Sequence, residues 1–176
     1  MGLATLGLAF AQSSVLSPQS SVHAAEPFVD CYTVRRSRII LQVCSWPPGV
    51  AKPSQERVAA IVRILDAAFP LPDDARFIIS FIPPKMLLSA DTAAFWDPAS
   101  GTMFAEATAD EYVNLYRLAH ELSHALLGIK GVPIMDHHCR MFGEGHFLPV
   151  VYQLKEWSGQ LRFYTTHILQ GAKACE

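Results

Sequence analysis

Long basic runs, CxxC pairs, glycine-rich phosphate loops and long apolar stretches are all missing from this chain of 176 residues. Each absence closes off a class of function. The one cluster of like charge, Arg35, Arg36 and Arg38, is short and falls where a turn is expected, and the formal net charge is -2. Electrostatics therefore gives no case for nucleic acid as a partner. Without CxxC spacing a cysteine zinc ribbon is not expected. No serine-nucleophile elbow occurs, and no phosphate-binding glycine loop follows a strand. Charged residues make up only 17% of the chain against 51% hydrophobic, which argues against disorder and for one domain with a sizeable core.

The N-terminal stretch Gly2 to Ala11 is apolar but too short to cross a bilayer as a stable helix. A Ser/Gln/Pro segment follows, and Val22-His23-Ala24-Ala25 offers small residues to a signal peptidase, although no Lys or Arg precedes the apolar run. Residues 1–25 are therefore expected to be a leader and 26–176 a single domain, secreted or periplasmic. No later segment is long and apolar enough to span a bilayer, so no stable membrane insertion is expected after leader removal. The four cysteines form an even set, which an oxidising compartment would let pair. Of three possible pairings, one would bridge neighbouring strands with Cys31–Cys44 and leave Cys139–Cys175 to tie the C-terminus to the later part of the chain. Four buried free thiols are the alternative.

Hydrophobic periodicity outlines the elements. Thr33-Val34 and Ile39 to Trp46 read as strands with Arg35 to Arg38 at the turn, closed by Pro47-Pro48-Gly49. Val58, Ile61, Val62, Leu65 and Phe69 trace a helical stripe that begins at an N-cap Ser54 and stops at Pro70. Phe77 to Ile82 reads as a buried strand, Asp97 to Gly101 as a turn, and Thr102 to Ala105 as another strand. Thr108 and Glu111 have capping-box spacing, and Tyr112, Leu115, Tyr116, Ala119, Leu122 and Leu126 make an apolar stripe that Gly128 and Gly131 end. A last helix is expected from Phe147 to Trp157, with Pro149 in its first turn. The order of elements places the chain in the α+β class.

Inside the capped helix stands His120-Glu121-Leu122-Ser123-His124, a complete HExxH. Residues four apart project from one helix face, so both imidazoles can reach one metal ion. The glutamate beside the first histidine is offset around the helix and can activate a metal-bound water without being a ligand. Zinc with three protein ligands keeps a fourth position open for that water, and Glu121 then serves as general base. Five of the seven histidines lie between His120 and His146.

On this motif the chain resembles the zincin superfamily of zinc metallopeptidases. The resemblance implies a small mixed sheet packed on helices, a bound Zn2+, a peptide or protein substrate, and a cleft beside the motif helix. It also implies an edge strand that pairs with an extended substrate, for which Thr102 to Ala105 is the candidate. The third ligand stays open among four residues. His138 follows His124 by fourteen residues beyond a Gly/Pro loop, and the nearby Met141 loosely resembles metzincins. The metzincin spacing HExxHxxGxxH is not met, since Gly128 is one residue late and Lys130 stands at the ligand position. Glu144 has a spacing similar to gluzincins, His146 resembles the histidine of SprT-like proteases, and Asp136 the aspartate of aspzincins. His138 ranks first because histidine dominates such sites, and His137 reads as an accessory or surface residue. Tyr152, Tyr164 and His167 are candidates for stabilising an oxyanion.

The sequence thus points to an exported zinc metallopeptidase that hydrolyses peptide bonds through Glu121-assisted attack of zinc-bound water. The alternative is a noncatalytic exported module whose zinc is absent, or structural and closed by a fourth ligand such as Cys139.

Overall fold

The computed structural model describes residues 30–87, 93–171 and 175, so the expected leader lies outside the described residues. Five strands, β1 (Asp30–Arg36), β2 (Ile39–Ser45), β3 (Ala75–Ile82), β4 (Ala94–Asp97) and β5 (Thr102–Glu106), form one mixed sheet in the order β1-β2-β3-β5-β4. The outer pairs β1–β2 and β4–β5 are antiparallel hairpins, and β2–β3–β5 run parallel. Four helices accompany it: α1 (Gln55–Ala68), α2 (Glu111–Ile129), α3 (Leu148–Ser158) and α4 (Arg162–Gly171). The class is mixed α+β, as expected.

Strand side chains alternate between faces, and only one face carries the core. Leu41, Val43, Ile79, Phe81, Met103 and Ala105 point inward onto Val58, Ile61, Leu65, Leu118 and Leu122 of α1 and α2. On the opposite face Ile78 is 40% exposed, so β3 is buried on one side rather than both. The expectation of a fully buried strand fails because the described helices pack into a single core. No helix among the described residues is long and apolar enough to cross a membrane.

Local chemistry at the helix ends also departs from expectation. Ser54 takes the N-cap position of α1, but its hydroxyl makes no cap bond; its amide instead donates to Glu111 Oε1 at 2.8 Å. Glu111 is thereby drawn away from a capping box, and Asp110 caps α2 by accepting from the amides of Tyr112 and Val113. Buried Asn114 locks the turn into α2, exchanging hydrogen bonds with the backbone N and O of Thr108, each at 2.9 Å. Gly128 does not end α2. It lies within the helix, where a Cβ would sit 2.3 Å from the Trp96 ring. The stop comes at Gly131, with φ +73°: its amide bonds Gly128 O and that of Val132 bonds Leu127 O, a Schellman closure. The helix α3 begins where expected, but α4 was not foreseen.

Both cysteine pairs are joined. Cys31 and Cys44 face each other across β1–β2, and Cys139 is bonded to Cys175, so no cysteine is free. The two disulfides are compatible with an extracellular location.

Candidate metal centre

The helix α2 carries His120, Glu121 and His124 on its third turn and beyond. The Schellman closure reverses the chain after Ile129, and a short 3-10 turn (Ile134–Asp136) leads into His137 and His138. A π-helical turn follows at Cys139–Gly143, whose Cys139 is stapled to Cys175. These two segments bring His138 over the motif helix.

Three imidazole nitrogens converge there. His124 Nε2 is 3.1 Å from His120 Nε2 and 3.2 Å from His138 Nε2. An ion bonded to nitrogen at about 2.0–2.1 Å with tetrahedral angles sets its ligands roughly 3.3–3.4 Å apart. The two spacings lie within a few tenths of an ångström of that, so His120, His124 and His138 can hold a metal ion. Burial, then the neighbouring histidines, pushes His120 and His124 down to about 3, and His138 is lowered for the same reasons. All three are therefore neutral at pH 7, the state that ligation requires.

The other three candidates lie apart from this group. Glu144 is ion-paired with Arg140 at 2.6 Å and His146 at 3.2 Å, and Arg140 holds its carboxyl below the usual range. His146 packs on Phe69 instead, with ring centroids 5.6 Å apart. Asp136 is exposed in the 3-10 turn. Gly143, before Glu144, ends the π-helical turn where a Cβ would meet Cys175 Sγ, and Gly145 after it has φ +76°. Neither Glu144, His146 nor Asp136 joins the three histidines.

Glu121 lines the same cleft as the histidines, together with Ala94, Phe95, Trp96 and Ile134, in a hollow of about 280 Å³. It is only 5% exposed, and burial raises its carboxyl to about 8. The intervening Ser123 is fully buried and spends its hydroxyl on Ala119 O, 2.8 Å away, so it offers nothing to the cleft. Among the described residues, larger hollows elsewhere, such as the one of about 420 Å³ between β1 and α1, hold no comparable cluster of ligating groups.

Two expectations about the cleft need correction. Thr102 to Ala105 lies in β5, which is paired on both sides and cannot be an edge. The edge beside the cleft is β4, unforeseen because four residues ending in a turn give too short an alternation to read. Tyr152, Tyr164 and His167 do not line the cleft: the two tyrosines stack on each other, and His167 is buried against Phe142.

His137, expected to be an accessory or surface residue, is not at the surface. It is 1% exposed, with Nδ1 3.0 Å from His124 Nδ1 and Nε2 2.9 Å from Val132 O. No protein-family model, curated protein or solved structure matches the chain.

Proposed function

We propose that the chain is an exported zinc metallopeptidase with a zincin-like site, in which His120, His124 and His138 hold Zn2+ and Glu121 is the general base. The observation that carries this reading is the convergence of three neutral imidazoles beside a buried carboxyl in one open cleft. Zinc bound there would lower the pKa of a coordinated water toward neutrality and polarise the substrate carbonyl.

The chain's own groups supply the rest. Glu121 takes a proton from the attacking water and returns it to the leaving amine. Its carboxyl is held high by burial, and a cation at the histidine cluster works against that, favouring the ionised form a base needs. Among the described residues no strand pairs with the outer edge of β4 beside the cleft, where an extended peptide can add as a further strand. Trp96, Phe95 and Ile134 give this cleft apolar walls. The two disulfides support export of the domain from the cytoplasm.

A noncatalytic module with a structural zinc would need a fourth protein ligand. Among the described residues the group has three members, and Cys139 is committed to Cys175. The test is hydrolysis of a quenched-fluorescent peptide library by the oxidised protein. Cleavage should stop with a chelator, return with zinc, and vanish in Glu121→Ala while zinc stays bound. Cleavage that survives in Glu121→Ala would sink the mechanism, as would an inert zinc-loaded wild type.

A further inference from the structure

We infer that His137 is a positioning residue, which fixes the proton of His124 on Nδ1 and so keeps Nε2 free for a metal. The inference rests on the metal-centre reading for its purpose, but its geometry stands independently of a bound ion.

Val132 O can only accept a hydrogen bond, so His137 Nε2, 2.9 Å away, must carry a hydrogen. A neutral His137 then has no hydrogen on Nδ1 and can only accept there. The facing atom, His124 Nδ1 at 3.0 Å, must donate. His124 is thereby left with a bare lone pair on Nε2, the atom that faces His120 and His138. A ligating histidine is commonly held this way by a carboxylate or carbonyl. Here a second histidine relays the backbone carbonyl's demand across the ring.

The relay is built into the fold at both ends. Val132 is the residue whose amide completes the Schellman closure of α2, so its carbonyl is fixed by the helix end. His137 itself is 1% exposed and lies stacked on Trp96, with ring centroids 6.3 Å apart and planes 26° from parallel. Trp96 can reach that position because Gly128 has no Cβ to block it. Among the described residues the buried Nδ1 of His120 has no hydrogen-bond partner, and that ring is held by packing against Phe142 and Phe147 instead.

The test uses the full oxidised chain with His137→Phe, which keeps a ring against Trp96 but removes both nitrogens. Its companion is His137→Gln, whose amide can accept from His124 and donate to Val132. The first readout is nitrogen NMR of labelled histidines in the metal-free protein. His124 should hold its proton on Nδ1 in wild type and His137→Gln, and lose that preference in His137→Phe. The second is zinc affinity by competition with a chromophoric chelator, expected to fall about 10–100-fold in His137→Phe and to recover in His137→Gln. An unchanged His124 tautomer in His137→Phe would overturn the inference, and so would equal losses of affinity in both variants. A wild type with the expected tautomer that takes up no zinc would overturn the metal-centre reading and leave the proton assignment standing.

Discussion

Replacing Glu121 by Gln should stabilise the metal-free protein increasingly as pH rises. The carboxyl is raised from 4.5 to about 8 by burial, so the folded state binds its proton more tightly than the unfolded chain does. Stability from such a group is fully present below pH 4.5 and is lost as pH climbs through 8. Within that window wild type should lose about 1.4 kcal/mol per pH unit relative to Glu121→Gln, which does not titrate. Summed over the window the divergence is at most about 5 kcal/mol, a large share of the ~5–15 kcal/mol that holds a domain folded. The assay is urea unfolding of chelator-treated wild type and Glu121→Gln from pH 5 to 8.5, with disulfides kept oxidised. Saturating zinc should shrink the divergence, because a cation beside Glu121 favours the charged form. Parallel stability profiles without metal would refute the claim that Glu121 is a desolvated carboxyl in the cleft wall.

Two further predictions concern the frame. Asp110→Ala removes the acceptor for two amides at the start of α2 and should cost about 1 kcal/mol in denaturant unfolding; no loss would mean the cap bonds are not formed. Replacing Cys139 and Cys175 together by Ala releases a link spanning 36 residues, worth roughly 4 kcal/mol in chain entropy. That variant should still bind one zinc at saturation, whereas loss of the metal would mean that the Cys139–Cys175 link is required to hold His138 in place.

The motif helix was legible in the sequence for physical reasons, whereas His138 and the pairings Cys31–Cys44 and Cys139–Cys175 were each one of several alternatives that spacing left open. A helix of 19 residues with ten buried positions leaves a strong period, and two histidines four apart on it must share a face. Other parts left no such imprint. The four residues of β4 have no clear alternation, since Phe95 is 39% exposed and Trp96 turns its ring onto Gly128. The helix α4 was missed because Ile168 and Leu169 are each more than half exposed, which blurs its apolar stripe. Capping-box spacing at Thr108 and Glu111 misled because Glu111 is claimed by α1, through the Ser54 amide and Arg57. Whether His137 would be an accessory or a surface residue was decided only by the folded-back loop after α2, since nothing in a neighbouring pair of histidines tells which ring turns inward. Glu144 and His146 have ligand-like spacing, but their side chains meet each other, and Glu144 also pairs with Arg140.

The most direct test of the metal centre is elemental analysis of the purified oxidised protein after zinc titration, with His138→Ala, Glu144→Ala and His146→Ala alongside. About one zinc per chain is expected in wild type, in Glu144→Ala and in His146→Ala, with loss confined to His138→Ala. Zinc that disappears in His146→Ala or Glu144→Ala but persists in His138→Ala would contradict the assignment, as would a wild type that takes up none.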